Sequence, residues 1–158
     1  MFKVIASNVE QYFGFDPRRE NDLRSVDTLI VGAAPNWKRW FVAGTPQGEP
    51  GMRMSMIGYG HFHYSVKSSR TPVNWPVLGM ALQKNNISLY LSARDDAGPV
   101  AEQYAEKLGR VSVSKTGAIR FRCVADLDVR EFTNMLHRVE RDMENGILEL
   151  RYGRVAGN

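Results

Sequence analysis

Val77-Leu-Gly-Met-Ala-Leu-Gln83, then Lys84-Asn-Asn86, then Ile87-Ser-Leu-Tyr-Leu-Ser92: this stretch decides the fold class. Leu78, Met80 and Leu82 fall on alternate positions, and so do Ile87, Leu89 and Leu91. A period of two puts one side of each segment into a core. Three polar residues between the runs leave room only for a tight reversal, so the pair reads as a β-hairpin.

Working toward the N-terminus, Met52, Met54 and Met56 alternate with Arg53 and Ser55. Phe62, Tyr64 and Val66 alternate with His61, His63 and Ser65. Gly58-Tyr59-Gly60 between them reads as a reversal, which predicts a second hairpin. Residues 67–76, with two prolines, read as a loop. Residues 34–51 hold three prolines and three glycines around Trp37, Trp40 and Phe41, the pattern of a long connection pinned by aromatic anchors. Further back, Asp16-Pro17 reads as a helix start, with Leu23, Val26, Leu29 and Ile30 at helical spacing behind it. Gly32 to Pro35 ends that helix. Val9, Tyr12, Phe13 and Phe15 suit either a short helix or an apolar arm.

Toward the C-terminus, Gly98-Pro99 opens a helix carrying Val100, Tyr104 and Leu108, closed by Gly109. Ala118–Val124 reads as a fifth strand. Asp128 with Glu131 three residues on is a helix-capping pair. Val129, Phe132, Leu136, Val139 and Met143 then form one apolar stripe, ended by Gly146. The tail 148–158 is a short strand or disordered. The expected fold is therefore α+β: an antiparallel or mixed five-stranded sheet with helices packed on one face. The 158 residues read as one domain, 1–158, with its core at about 8–143.

Four blocks also resemble the YdhG-like family of small bacterial proteins, catalogued as a domain of unknown function. They are Met56-Ile-Gly-Tyr-Gly-His-Phe-His-Tyr64, Asn86-Ile-Ser-Leu-Tyr-Leu-Ser92, Tyr104-Ala-Glu-Lys-Leu-Gly-Arg-Val-Ser112 and Ala118-Ile-Arg-Phe-Arg122. The resemblance spans roughly residues 8–143. It implies a curved sheet with helices on one side. One branch of that family is described as a frataxin-like iron chaperone, a role resting on acidic surface residues. Here the first long helix mixes Asp16, Glu20, Asp22 and Asp27 with Arg18, Arg19 and Arg24. No site residue is carried over from that branch.

Composition narrows the function classes. Apolar residues make up 43% and charged residues 24%, which is ordinary for a globular chain. Cys123 is the one cysteine, so no intrachain disulfide forms and a cytoplasmic setting is expected. No segment has the apolar length of a membrane span. A net charge of +4 spread without a clustered stripe argues against a nucleic-acid binder. No phosphate loop, dinucleotide fingerprint or CxxC pair is present, so no cofactor is implied. His61 and His63 share a strand face, but two imidazoles fall short of a zinc ligand set, and no metal is expected. Ser112-Val-Ser-Lys115 and Lys115-Thr-Gly117 match fragments of serine penicillin-recognising enzymes, but they share one lysine and read as a polar turn. Cys123 falls on the core-facing side of its strand.

Strand parity then sorts the sheet into two faces. Met52, Met54, Met56, Phe62, Tyr64, Leu78, Met80, Leu82, Ile87, Leu89, Leu91, Ile119, Phe121 and Cys123 make one. Arg53, Ser55, His61, His63, Gln83, Ser88, Tyr90, Arg120 and Arg122 make the other, which is basic and without a carboxylate. Arg53, His61, His63, Tyr90, Arg120 and Arg122 are the candidate ligand-binding residues for a small anion, because guanidiniums form paired hydrogen bonds with carboxylate or phosphate. No catalytic residue is assigned. The expected function is a non-enzymatic domain that binds a small ligand or a partner. The alternatives are the frataxin-like iron chaperone and an enzyme of unidentified class. The sequence is silent on oligomeric state.

Overall fold

In the computed structural model, residues 2–45, 48, 52–64 and 73–150 are described. In chain order the elements begin with α1 (Val9–Gly14), α2 (Glu20–Ala33), β1 (Arg39–Val42), β2 (Met56–Tyr59), β3 (Phe62–Tyr64) and β4 (Val73–Trp75). They continue with β5 (Leu78–Leu82), β6 (Ile87–Leu91), β7 (Ala93–Asp95), β8 (Gly98–Pro99), α3 (Val100–Gln103), β9 (Ser112–Val113), β10 (Ala118–Phe121), α4 (Val129–Glu144) and β11 (Glu149–Leu150).

The main sheet has six strands in the order β1-β2-β5-β6-β10-β9, and each neighbouring pair is antiparallel. The predicted α+β class holds, with one strand more than expected. The β5–β6 hairpin closes where the sequence places it, with Gln83 N–H donating to the Asn86 carbonyl at 2.9 Å.

Register defines the faces. Phe41, Ile57, Met80, Leu89, Ile119 and Val113 are partners in a row across all six strands. They pack with Tyr12 and Phe13 of α1, Leu23, Val26 and Ile30 of α2, Val100 and Ala101 of α3, and Phe132, Met135, Leu136 and Val139 of α4. All four helices thus contribute to one apolar core on one side of the sheet. Helix α4 starts at its expected cap, where the Asp128 carboxylate accepts the Glu131 N–H at 3.0 Å. Val129 departs from its predicted stripe and is exposed, while Met135 is buried.

Several expectations are corrected. Of the expected reversal Gly58-Tyr59-Gly60, the first two residues belong to strand β2, which pairs with β1 and β5, and the chain bends only at Gly60, whose φ is +67°. No hairpin joins it to β3, which pairs with β4 in a separate two-stranded sheet. β4 lies inside the expected loop, and β1 inside the expected long connection. Val66 lies outside the described residues. Helix α2 begins at Glu20 rather than at Asp16-Pro17. Asp16 instead closes a turn, its side chain accepting the Arg18 N–H at 3.0 Å. The residues 52–55 are not a strand, so Met52 and Met54 do not alternate with Arg53 across a sheet. Met56 faces away from the helices, because its neighbour Ile57 occupies the helix-facing row. Cys123 lies beyond the end of β10, half-buried, at the start of a 3-10 turn (Val124–Asp126).

The face away from the helices is therefore not uniformly polar. Val42, Met56, Trp75 and Ala81 form a second apolar cluster there, with Trp40, Met52, Met54, Phe62 and Tyr90 packed around it. Gly58 and Gly79 are direct partners beneath it. A Cβ on Gly58 would come within 2.7 Å of the Val42 side chain and 3.0 Å of Pro76 and Trp40. Glycine is required here for close approach, not for a turn.

Candidate anion-binding site

Two of the six candidate residues are brought together at the end of the sheet formed by β6, β10 and β9. Ser88 and Arg120 are register partners, as are Tyr90 and Ala118 and Ser112 and Arg120. Ser88 Oγ donates to Gln83 Oε1 at 2.7 Å, and Gln83 Nε2 donates to the Tyr90 hydroxyl at 3.4 Å. This chain of side chains lies on the face away from the helices, beside Arg120.

Beyond it opens a cavity of about 450 Å3 lined by Asn85, Asn86, Arg110, Ser112, Arg120, Phe121 and Arg122. Arg120 and Arg122 have no carboxylate partner among the described residues, whereas Arg110 pairs with Asp126 at 3.3 Å. Asp126 also accepts the Arg122 N–H at 3.3 Å. A further guanidinium, that of Arg19, stands behind the wall. It donates to the Arg122 carbonyl at 3.1 Å and to the Gln83 and Lys84 carbonyls at 3.5 Å each, tying the β5–β6 turn to the end of β10. Asn86 contributes a polar orphan: its Oδ1 is sequestered from solvent with no hydrogen-bond partner. Such groups are uncommon in folded proteins.

The remaining candidates lie elsewhere. Tyr90 is half-buried and packs against the second apolar cluster rather than lining the cavity. Arg53 lines a different cavity, on the other side of the β5–β6 turn. His61 and His63 have ring centroids 6.1 Å apart, but His63 lies on β3 and His61 just before it, and both are exposed. Phe62 between them turns toward the core clusters. Among the described residues no group of three His, Cys, Asp or Glu side chains is gathered closely enough to hold a metal ion. None of the described helices is long and apolar enough to cross a membrane.

Arg110 was missed by strand parity because it is not on a strand. It follows Gly109, whose φ of +102° and bridge to Leu127 lead the chain into β9. Asp27 was also missed as a buried group. It sits on the apolar stripe of α2 between Leu23 and Ile30, which is the signal that it needs a partner. The Tyr59 hydroxyl donates to its Oδ1 and Arg39 to its Oδ2, each at 2.7 Å. Burial and the adjacent Asp27 carboxylate hold Tyr59 well above the ordinary tyrosine pKa. This network joins α2 to β1 and β2 from the helix side and has no part in the arginine cavity.

Compared with known proteins, the chain matches no protein-family model, no curated sequence and no solved structure.

Proposed function

We propose that this chain is a non-enzymatic binding domain whose ligand is a small phosphate- or carboxylate-bearing anion, held at the sheet end by Arg120, Arg122 and Arg110. The observation that carries this reading is that three arginines line one cavity, two of them without a carboxylate partner among the described residues. Like charges gathered this way repel, and a bound anion relieves that repulsion while accepting charge-assisted hydrogen bonds. The described lining residues offer donors and one hydroxyl, Ser112, and among them no general base, which favours binding over catalysis. The expected cytoplasmic setting and the YdhG-like resemblance belong to the same reading.

The test is a titration with inorganic phosphate and acetate, following backbone amide shifts. Shifts are expected at Asn85, Asn86, Ser112 and Arg120 to Arg122. The paired substitution Arg120→Gln with Arg122→Gln should weaken binding by about tenfold or more. Shifts confined to the β3–β4 hairpin, or none at millimolar anion, would overturn the proposal.

A further inference from the structure

A second cavity of about 450 Å3 lies on the opposite side of the β5–β6 turn, and its chemistry differs from that of the first. Phe2, Lys3 and Val4 wall one side, Tyr12 of α1 another, Arg53 to Ser55 a third, and Leu82 to Lys84 the last. Val4, Tyr12 and Leu82 are buried members of the protein core, and Phe2 and Met54 add apolar surface above them. The Tyr12 hydroxyl near the floor is already engaged. It accepts the Leu82 N–H at 2.9 Å and donates to the Ser55 carbonyl at 3.4 Å. Burial pushes its pKa up to about 12, so it is neutral at physiological pH.

The floor is therefore apolar, while the rim is cationic. Lys3 and Lys84 are exposed and Arg53 stands beside them, and among the described residues no Asp or Glu lines the cavity. A fully polar anion would leave the floor without a partner, and a neutral hydrocarbon would leave the ammonium groups unused. We propose that this cavity binds an amphipathic monocarboxylate, its hydrocarbon body against Val4, Met54 and Leu82 and its carboxylate toward Lys3 and Lys84. Cavities of this size, mostly apolar with a few charged groups at one side, suit a small ligand of that kind.

The experiment is a titration of the full chain with butyrate, hexanoate and octanoate below micellar concentrations. It is read from the methyl signals of Val4, Met54 and Leu82, with octanol as the neutral control. Affinity should rise about fourfold for each methylene buried. Octanol should bind at least about tenfold more weakly than octanoate. Lys3→Gln with Lys84→Gln should weaken octanoate and leave octanol unchanged. Arg120→Gln with Arg122→Gln should leave octanoate binding intact, which keeps this site separate from the arginine cavity. Affinity independent of chain length, octanol binding as tightly as octanoate, or unmoved methyl signals at millimolar octanoate would each overturn the proposal.

Discussion

Phe41, Ile57, Met80, Leu89, Ile119 and Val113 carry one apolar row across the helix-covered side of the sheet, whereas the opposite side changes character from one edge to the other. Near β1 and β2 it is apolar, with Val42, Met56, Trp40 and Trp75 gathered over a glycine pair. Near β10 and β9 it is polar, with Gln83, Ser88, Arg120 and Ser112. The helix side has one task, excluding water from a core. The other side divides its tasks: the β3–β4 hairpin brings Trp75 over one half, and the other half opens into the arginine cavity.

The largest expected effect tests the helix side. Leu89→Ala removes a fully buried side chain from the centre of the row and should cost roughly 2–5 kcal/mol in denaturant unfolding. A loss under about 1 kcal/mol would mean that the row is misassigned. The same core contains a pH-sensitive group. The Tyr12 hydroxyl is held neutral by burial, with its pKa raised from 10.0 to about 12. The unfolded chain ionises its tyrosine first as pH rises, so the native state binds the extra proton and loses stability from pH 10 upward. The contribution lost by pH 12 is on the order of 3 kcal/mol. Tyr12→Phe should make this alkaline limb shallower, with the part due to Tyr59 remaining, and an unchanged pH profile in that variant would contradict the assignment.

On the opposite side, Gly58→Ala should destabilise by about 1–3 kcal/mol, because the new methyl meets Val42, Pro76 and Trp40 at once. If the variant is neutral by calorimetry, the second cluster is looser than its geometry indicates. Asp128→Ala, which removes the cap of α4, should cost about 1 kcal/mol. That value calibrates a local contribution against the two packed faces. The smallest effect on stability is expected at Arg120. Arg120→Gln should change unfolding free energy by less than about 0.5 kcal/mol while reducing phosphate affinity. A large destabilisation would mark Arg120 as a structural residue instead and would remove the contrast between the covered and open halves.

Local patterns in the sequence determined the β5–β6 hairpin, strand β10, the stripe and cap of α4, and the placement of the helices on one side. In each case the signal lies within a few consecutive residues: a period of two, a period of 3.6, or a carboxylate three residues before its N–H partner. The pairing of Arg120 with the polar side was legible for the same reason. Tertiary structure alone decided the rest. Gly58-Tyr59 has the composition of a turn, yet it lies within a strand because β1 and β5 pair with it on either side, and its glycine leaves the space that Val42, Trp40 and Pro76 fill. That choice shifts β2 by one residue relative to the methionine alternation, and a one-residue shift exchanges the two faces, which moved Met56 away from the helices. Strand β1 lay hidden in a proline- and glycine-rich stretch because its partner, β2, is distant in sequence. The cavity needed Arg110, which a glycine-directed loop delivers from outside any strand. Alternation reports which residues share a side of one strand. Which strands meet, and what covers them, depends on contacts between residues far apart in the chain.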